Sequence, residues 1–301
     1  MFLYMPRLNI YVPDDVYLLA ERWRGAKNLS EICSRALREE LEAAEDGRSA
    51  LKALSRLRQM SPLESKLARR YQLKEVVVCE PADHPSGLRD QIGAVAASYV
   101  DSRLCDGMNL VLAGGRQSWS VVRALSPRRL RVAVSALGVG HVDPNVLHAH
   151  PNTLVTIAWL LYAPRSTAAL TGTDLEARLD CTSQGDHEGT LLLASCSPLT
   201  TGSPIAGLLG DDVARQLRDS GAIGDFGYHF LTKTGREVAW NAPANSSLLS
   251  TNRFHEIMAD PKSRVVMIAG GTDKLPIMHA ALKARLCDSL ITDRQTAQEL
   301  S

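Results

Sequence analysis

The chain has 301 residues, 45% of them hydrophobic and 22% charged, the balance of an ordinary globular protein long enough to bury a sizeable core. Aromatic residues make up only 5%, which argues against widespread stacking platforms for single-stranded nucleic acid, and no stretch approaches the ~20 apolar residues of a membrane-spanning helix. The net charge of +1 conceals an uneven distribution: −3 over residues 1–46, +6 over residues 47–75 and −2 over the rest.

The start, MFLYMPRLNIYVPDD, lacks the basic region and cleavage site of a signal peptide, so a cytoplasmic location is expected. Residues 6–13 alternate apolar Leu8, Ile10 and Val12 with Arg7, Asn9 and Tyr11, the period of a strand with one buried face. Pro13 ends it, and Asp14 or Asp15 caps a helix in which Val16, Leu19, Ala20 and Trp23 recur at helical spacing. Gly25 stops that helix, and Ser30 caps a second one lined by Ile32, Cys33, Ala36, Leu37 and Leu41. One strand and two short helices cannot make an independent core, and a lone strand invites pairing; two chains that pair their strands solve both problems. The segment resembles the ribbon-helix-helix DNA-binding family over roughly its first 44 residues. That resemblance implies a two-stranded ribbon in the major groove of double-stranded operator DNA, with Arg7, Asn9 and Tyr11 facing the bases. It also places Lys27, Asn28 and Ser30 at a phosphate, beside the start of the second helix.

From Gly47 to Leu73, Leu51, Leu54, Leu57, Leu63 and Leu67 are interleaved with Lys52, Arg56, Arg58, Lys66, Arg69 and Arg70. Ser61-Pro62 divides the run, with Pro62 suited to the first turn of a new helix. Two amphipathic helices are predicted, their stripe serving dimer packing or docking, and their charge forming a solvated helix face or attracting a polyanion. The expected boundaries are 1–46 for the head, 47–62 for a basic helical linker and 63–301 for the body.

In the body, β-branched runs alternate with helical stretches. Strands are predicted at Glu75–Cys79, Met108–Ala113, Arg131–Leu137, Gly189–Ala194, Arg264–Ala269 and Ser289–Thr292, and helices at Leu88–Val100 and Trp119–Leu125. This is the pattern of an α/β fold with an open, mainly parallel, Rossmann-like sheet covered on both faces, with ligands at the carboxyl ends of its strands. Two strands run into Gly114-Gly115 and Gly270-Gly271, where backbone can approach an anion or simply make a tight turn. Lys274 follows in the first turn of a helix, where its charge opposes the dipole unless an anion is bound. Gly221–Gly227 reads as a third loop with Asp225 between glycines, suited to sugar hydroxyls or to a plain turn. Neither glycine pair is a nucleotide-binding motif, the six cysteines form no CxxC pair, and no cofactor or metal is expected. His141, His148 and His150 form a loose cluster without metal-ligand spacing.

The closing VVMIAGGTDKLPIMHAALKARLCDSLITDRQTAQEL is similar to the end of the SorC family of sugar-responsive bacterial regulators, and LARRYQLKEVVV, MNLVLAGGRQSW and GAIGDFGYHF match in order and spacing. The resemblance implies a sugar-phosphate-isomerase-like fold used for binding, in a homodimer or tetramer. Its effector, a sugar or phosphosugar-like small molecule, would meet Gly114, Gly115, Gln117, Ser118, Asp225, Gly270, Gly271 and Lys274. Two features depart from the family: Arg116-Gln117-Ser118-Trp119 stands where a threonine is usual, and Ala194–Leu199 replaces a glycine-rich strand end. A ligand-responsive transcription regulator is therefore expected. The alternative is a sugar-phosphate isomerase or deaminase-like enzyme using Asp225, His187, Glu188 and Lys274, although the sequence suggests no compact pairing of a base with an orienting partner.

Overall fold

Short apolar runs become the strands of a sheet covered on both sides. The structure is a computed structural model that describes residues 60–79, 87–141, 144–162, 167–182, 188–201 and 203–301. The expected ribbon, its two helices, the first linker helix, Arg7, Asn9, Tyr11, Lys27, Asn28, Ser30 and His187 lie outside the described residues.

In chain order the elements are α1 (Pro62–Tyr71), β1 (Glu75–Cys79), α2 (Leu88–Arg103), β2 (Asn109–Ala113), α3 (Arg116–Val122) and β3 (Ala133–Leu137). A 3-10 turn (Pro144–Ala149) leads into α4 (Pro151–Tyr162), followed by β4 (Thr167–Ala169), α5 (Leu175–Thr182), β5 (Thr190–Ala194) and β6 (Cys196–Pro198). Then come α6 (Pro204–Leu209), α7 (Asp211–Asp219), β7 (Ala222–Phe226), β8 (His229–Thr232) and β9 (Glu237–Val238). The last elements are α8 (Thr251–Ala259), β10 (Arg264–Ile268), a 3-10 turn (Thr272–Lys274), α9 (Leu275–Lys283), β11 (Ser289–Asp293) and α10 (Arg294–Leu300).

Seven of these strands form one sheet in the order β1-β11-β10-β5-β2-β3-β4, with every pairing parallel. Alternate residues serve opposite faces. Val111 and Ala113 of β2 join a core with Leu67 of α1, Ile277 of α9 and Ala297 of α10. Leu110 and Leu112 join another with Ile92 of α2, Val121 of α3 and Leu154 of α4. Strands buried on both faces need continuous apolar runs, which is why they were readable in the sequence.

Strands β6-β7-β8-β9 make a smaller antiparallel sheet. With α6 and α7 it surrounds a third core of Leu199, Ile205, Ala214, Leu217, Phe230 and Val238. This corrects the reading of Gly221–Gly227 as a loop: Ala222–Phe226 is a strand. Glycine stands at 224 because a Cβ there would lie 2.5 Å from the Ser197 carbonyl oxygen, so the residue permits close strand approach instead of bending the chain. A second correction concerns the helix expected at Trp119–Leu125, which begins at Arg116. Gly115 caps it at a φ of 132°, a conformation open to glycine, and so helical geometry starts three residues early.

Ser61 opens α1 with a capping box, its side chain accepting the Glu64 N–H while the Glu64 carboxylate accepts the Ser61 N–H at 2.7 Å. The other Glu64 oxygen accepts the Val78 N–H at 2.7 Å and ties the helix to β1. Ser61→Ala should therefore cost ~1 kcal/mol and lower the melting temperature by about 2–4 °C in a calorimetric scan.

Candidate functional site

The ends of β2, β5 and β7 converge on one pocket, at the carboxyl side of the parallel sheet. From β2 come Ala113, Gly114 and Gly115, from the segment after β5 Ser195 and Ser197, and from β7 and its turn Asp225, Gly227 and Tyr228. Arg116, His150 and Pro151 complete that side. The facing wall is apolar: Val146 and Ala149 from the 3-10 turn, and Pro204, Ile205 and Leu208 from α6.

Gly114 has no room for a side chain, since a Cβ would lie 2.8 Å from Pro151 Cδ and 3.1 Å from the Tyr228 hydroxyl. The two glycine amides are already engaged: Gly114 N–H donates to the Leu137 carbonyl at 3.3 Å and Gly115 N–H to that of Ala149 at 2.8 Å. The glycines therefore bring the backbone close, but their own amides are not free for an anion.

Asp225 is buried on β7. Its Oδ2 accepts the Tyr228 N–H at 3.0 Å, while its Oδ1 is buried without a hydrogen-bond partner. Burial pushes its pKa up to about 7. Tyr228 carries a φ of 70° beside Gly227 at 57°, the geometry of a tight hairpin turn. A bulky residue in that region is strained by ~1–3 kcal/mol, and the bond to Asp225 helps to hold it there. Burial pushes the His150 imidazole below its usual range. Its Nδ1 accepts the Asn152 N–H at 3.2 Å, so the neutral ring carries its proton on Nε2.

The second glycine pair lies outside this lining. β10 runs into Gly270 and Gly271, and Lys274 ends the following 3-10 turn at the N-cap position of α9. Lys274 is half-buried, and burial pushes its ammonium pKa down; Asp273 opposes the shift, and the nearby charges of Arg89 and Arg116 add to it. Arg89 and Arg116 are exposed. Both arginines thus act on Lys274, and all three cations stand at helix starts, where the dipole does not favour them.

Of the residues expected at the site, Gly114, Gly115 and Asp225 share the pocket. Gln117 and Ser118 are buried on α3, and Gln117 Nε2 donates to the Arg89 carbonyl at 3.0 Å. The histidine cluster diverges: His150 faces the pocket, whereas His148 packs edge-on to Trp119 at 5.4 Å. Glu188 pairs with Lys262 at 3.4 Å. Contrary to the sequence reading, a base with an orienting partner exists: His229 Nδ1 lies 2.7 Å from Glu237, whose carboxyl is held below its usual range by that bond. It does not line the pocket, and its ring stands edge-on to Phe254 at 4.7 Å. Arg116, His150, Ser195, Ser197 and the apolar wall were not anticipated as pocket residues. Ser195 and Ser197 had a readable signal, because they stand just beyond the end of a buried parallel strand.

Residues 55–164 and 200–300 match the family model of a sugar-binding domain. The full-length sorbitol operon regulator SorC from Klebsiella pneumoniae is 19% identical, with a TM-score of 0.62 over 96% of this chain and 99% of that one. A transcriptional regulator from Streptococcus pneumoniae is also 19% identical, with a TM-score of 0.64 over 79% and 95%. A DeoR family transcriptional regulator from Listeria monocytogenes is 16% identical, with a TM-score of 0.62 over 79% and 98%. No curated protein matches the chain. The structural likenesses show the fold, and the match of the family model covers most of the chain: it belongs to the sugar-binding domain family.

Proposed function

We propose that the chain is a ligand-responsive transcription regulator whose body binds a small sugar or phosphosugar-like effector and whose first 46 residues read double-stranded operator DNA as a dimeric ribbon-helix-helix. The observation that carries the ligand reading is the unpartnered, buried Asp225 Oδ1 in a pocket whose rim holds Arg116, a cation that together with Arg89 acts on Lys274. The carboxyl suits a ligand hydroxyl, and the cations suit an anionic group such as a phosphate. By the resemblance, the chain departs from the family pattern at Arg116-Gln117-Ser118-Trp119 and at Ala194–Leu199, so the identity of the ligand is not carried over from its relatives.

Binding is favoured over turnover by the partners of the pocket groups. Asp225 is oriented by a backbone amide and His150 by the Asn152 amide, and neither has a titratable partner among the described hydrogen bonds. A thermal-shift screen of the full chain against sugars and phosphosugars tests the reading, because a ligand that binds only the folded state raises the melting temperature. A stabilising sugar that survives unchanged for hours in NMR spectra is the expected result; its conversion would favour the isomerase or deaminase alternative.

The DNA arm makes a separate prediction. Replacing Arg7, Asn9 and Tyr11 together by alanine should weaken binding to a selected operator, each good base contact being worth ~1–3 kcal/mol. A gel-shift series checks this, and unchanged affinity would place the reading face elsewhere.

A further inference from the structure

The turn that carries Lys274 is held from outside its own strand. Gly271 N–H donates to Asp293 Oδ2 at 3.0 Å and to Thr296 Oγ1 at 2.9 Å. The same carboxylate caps α10: Oδ1 accepts the Thr296 N–H at 2.9 Å and Oδ2 accepts its hydroxyl at 2.6 Å. Both side chains are buried, and a Cβ on Gly270 would lie 2.4 Å from Asp293 Oδ2. One end of α10 is thereby fixed to the turn.

The other end is fixed to α1. The hydroxyl of buried Tyr71 donates to the Leu300 carbonyl at 3.1 Å, and Lys66 Nζ reaches Ser301 Oγ at 3.4 Å. Leu67, Ala68 and Tyr71 share a core with Ala297 and Leu300. Helix α1 begins at Pro62, and Ser61 is the first residue of the compact unit that runs to Ser301. What precedes it is the part of the chain expected to read DNA.

We propose that α10 is the element that couples the ligand site to the N-terminal residues, with Asp293 and Thr296 receiving the movement of the Lys274 turn and Tyr71 passing it to α1. The proposal rests on the ligand-binding reading above. A ligand drawn to Lys274 displaces Gly271, and the buried Asp293 carboxylate cannot stay in place without giving up a hydrogen bond, which a buried polar group strongly resists. A helix of two turns packed at interior density transmits the displacement as a unit instead of absorbing it. At its far end the Tyr71 hydroxyl must follow the Leu300 carbonyl or lose its acceptor.

Amide hydrogen exchange on the full-length chain tests this, with millimolar inorganic phosphate as the probe of the cation cluster. In the wild type, phosphate should slow exchange by about fivefold, the lower end of usual coupling strengths, in residues 270–275, 294–300 and 62–71 together. Tyr71→Phe keeps the ring and its contact with His279, and should retain the first two responses while losing the third. Thr296→Val, close in shape, should retain only the response at 270–275. A response of 62–71 that survives in both variants overturns the proposal, as does a wild type in which 270–275 responds and 62–71 does not. Absence of any response at 270–275 overturns the anion-binding reading itself, and the coupling with it.

Discussion

Lys274→Met is expected to remove most of the stabilisation that a phosphosugar gives the wild-type protein. Hydrogen bonds to charged groups are worth ~1.5–3 kcal/mol, so the dissociation constant for the anionic ligand should rise by roughly 10- to 150-fold. Affinity for the corresponding neutral sugar should change little. Without ligand the variant should be no less stable than wild type, since Lys274 is partly desolvated, stands at a helix start and feels Arg89 and Arg116. Calorimetric titration with the phosphorylated and unphosphorylated sugar, beside melts of the free proteins, reads both effects. Full retention of phosphosugar affinity, or an unfolded variant, would make the lysine a structural residue.

Asp225→Asn should change the pH dependence of stability. Burial raises the folded-state pKa of Asp225 to about 7, far above that of an unfolded aspartate. The folded protein therefore holds this proton more tightly than the unfolded chain. The resulting stability is fully present below the unfolded value near pH 4, is lost progressively as pH rises, and is gone above about pH 7. At about 1.4 kcal/mol per pKa unit the loss is of the order of 4 kcal/mol. The asparagine variant lacks this titration, so its melting temperature should stay flatter from pH 5 to 8 and exceed that of wild type at pH 8. In the wild type, a neutral sugar that donates a hydroxyl to Oδ1 is held more strongly by the ionised carboxylate and should bind more tightly as pH rises through 7. A melting series from pH 4 to 8 decides; parallel curves for the two proteins would mean that Asp225 titrates as an ordinary carboxylate.

Six strands of the large sheet were legible because they are covered and so advertise themselves as unbroken apolar runs, as in Val76-Val77-Val78 and Leu191-Leu192-Leu193, whereas the edge strand β4, exposed at Thr167 and Ala168, was missed. The small sheet was not legible. Its β7 contains two chain segments' worth of turn chemistry, glycine and aspartate, and β9 has only Glu237 and Val238. Pairing with β6 decides that segment, and pairing leaves no local signature when glycine is needed for closeness. In the pocket, Gly114, Gly115 and Asp225 were visible in the sequence, while Gly270 and Gly271 fall outside its lining, and glycine alone does not reveal whether its amide is free. Gly271 N–H is consumed by Asp293 and Thr296, which no local pattern foretells because those residues arrive from another strand end. Gln117 and Ser118 were drawn toward the ligand by their nearness to Gly115, and the early start of α3 turned both inward.

The order of strands in the sheet also governs how the protein can be made. β1 leaves the ribosome early, but its partner is β11, and Glu75 pairs with Ser289 roughly two hundred residues later. The half built from β2 and β3 can pair as soon as both exist, and β5 then adds to β2. β10 must dock on β5 before β11 can bridge it to β1. Until then β1 waits with both edges open, and α1 lacks the surface of α10 that covers Leu67 and Tyr71. Nascent chains halted before β10 would thus carry a half-assembled sheet with exposed edges, the state in which chains stick to one another. The last forty or so residues close the sheet in a single late step, so the head emerges first and is joined to an unfinished body for most of synthesis.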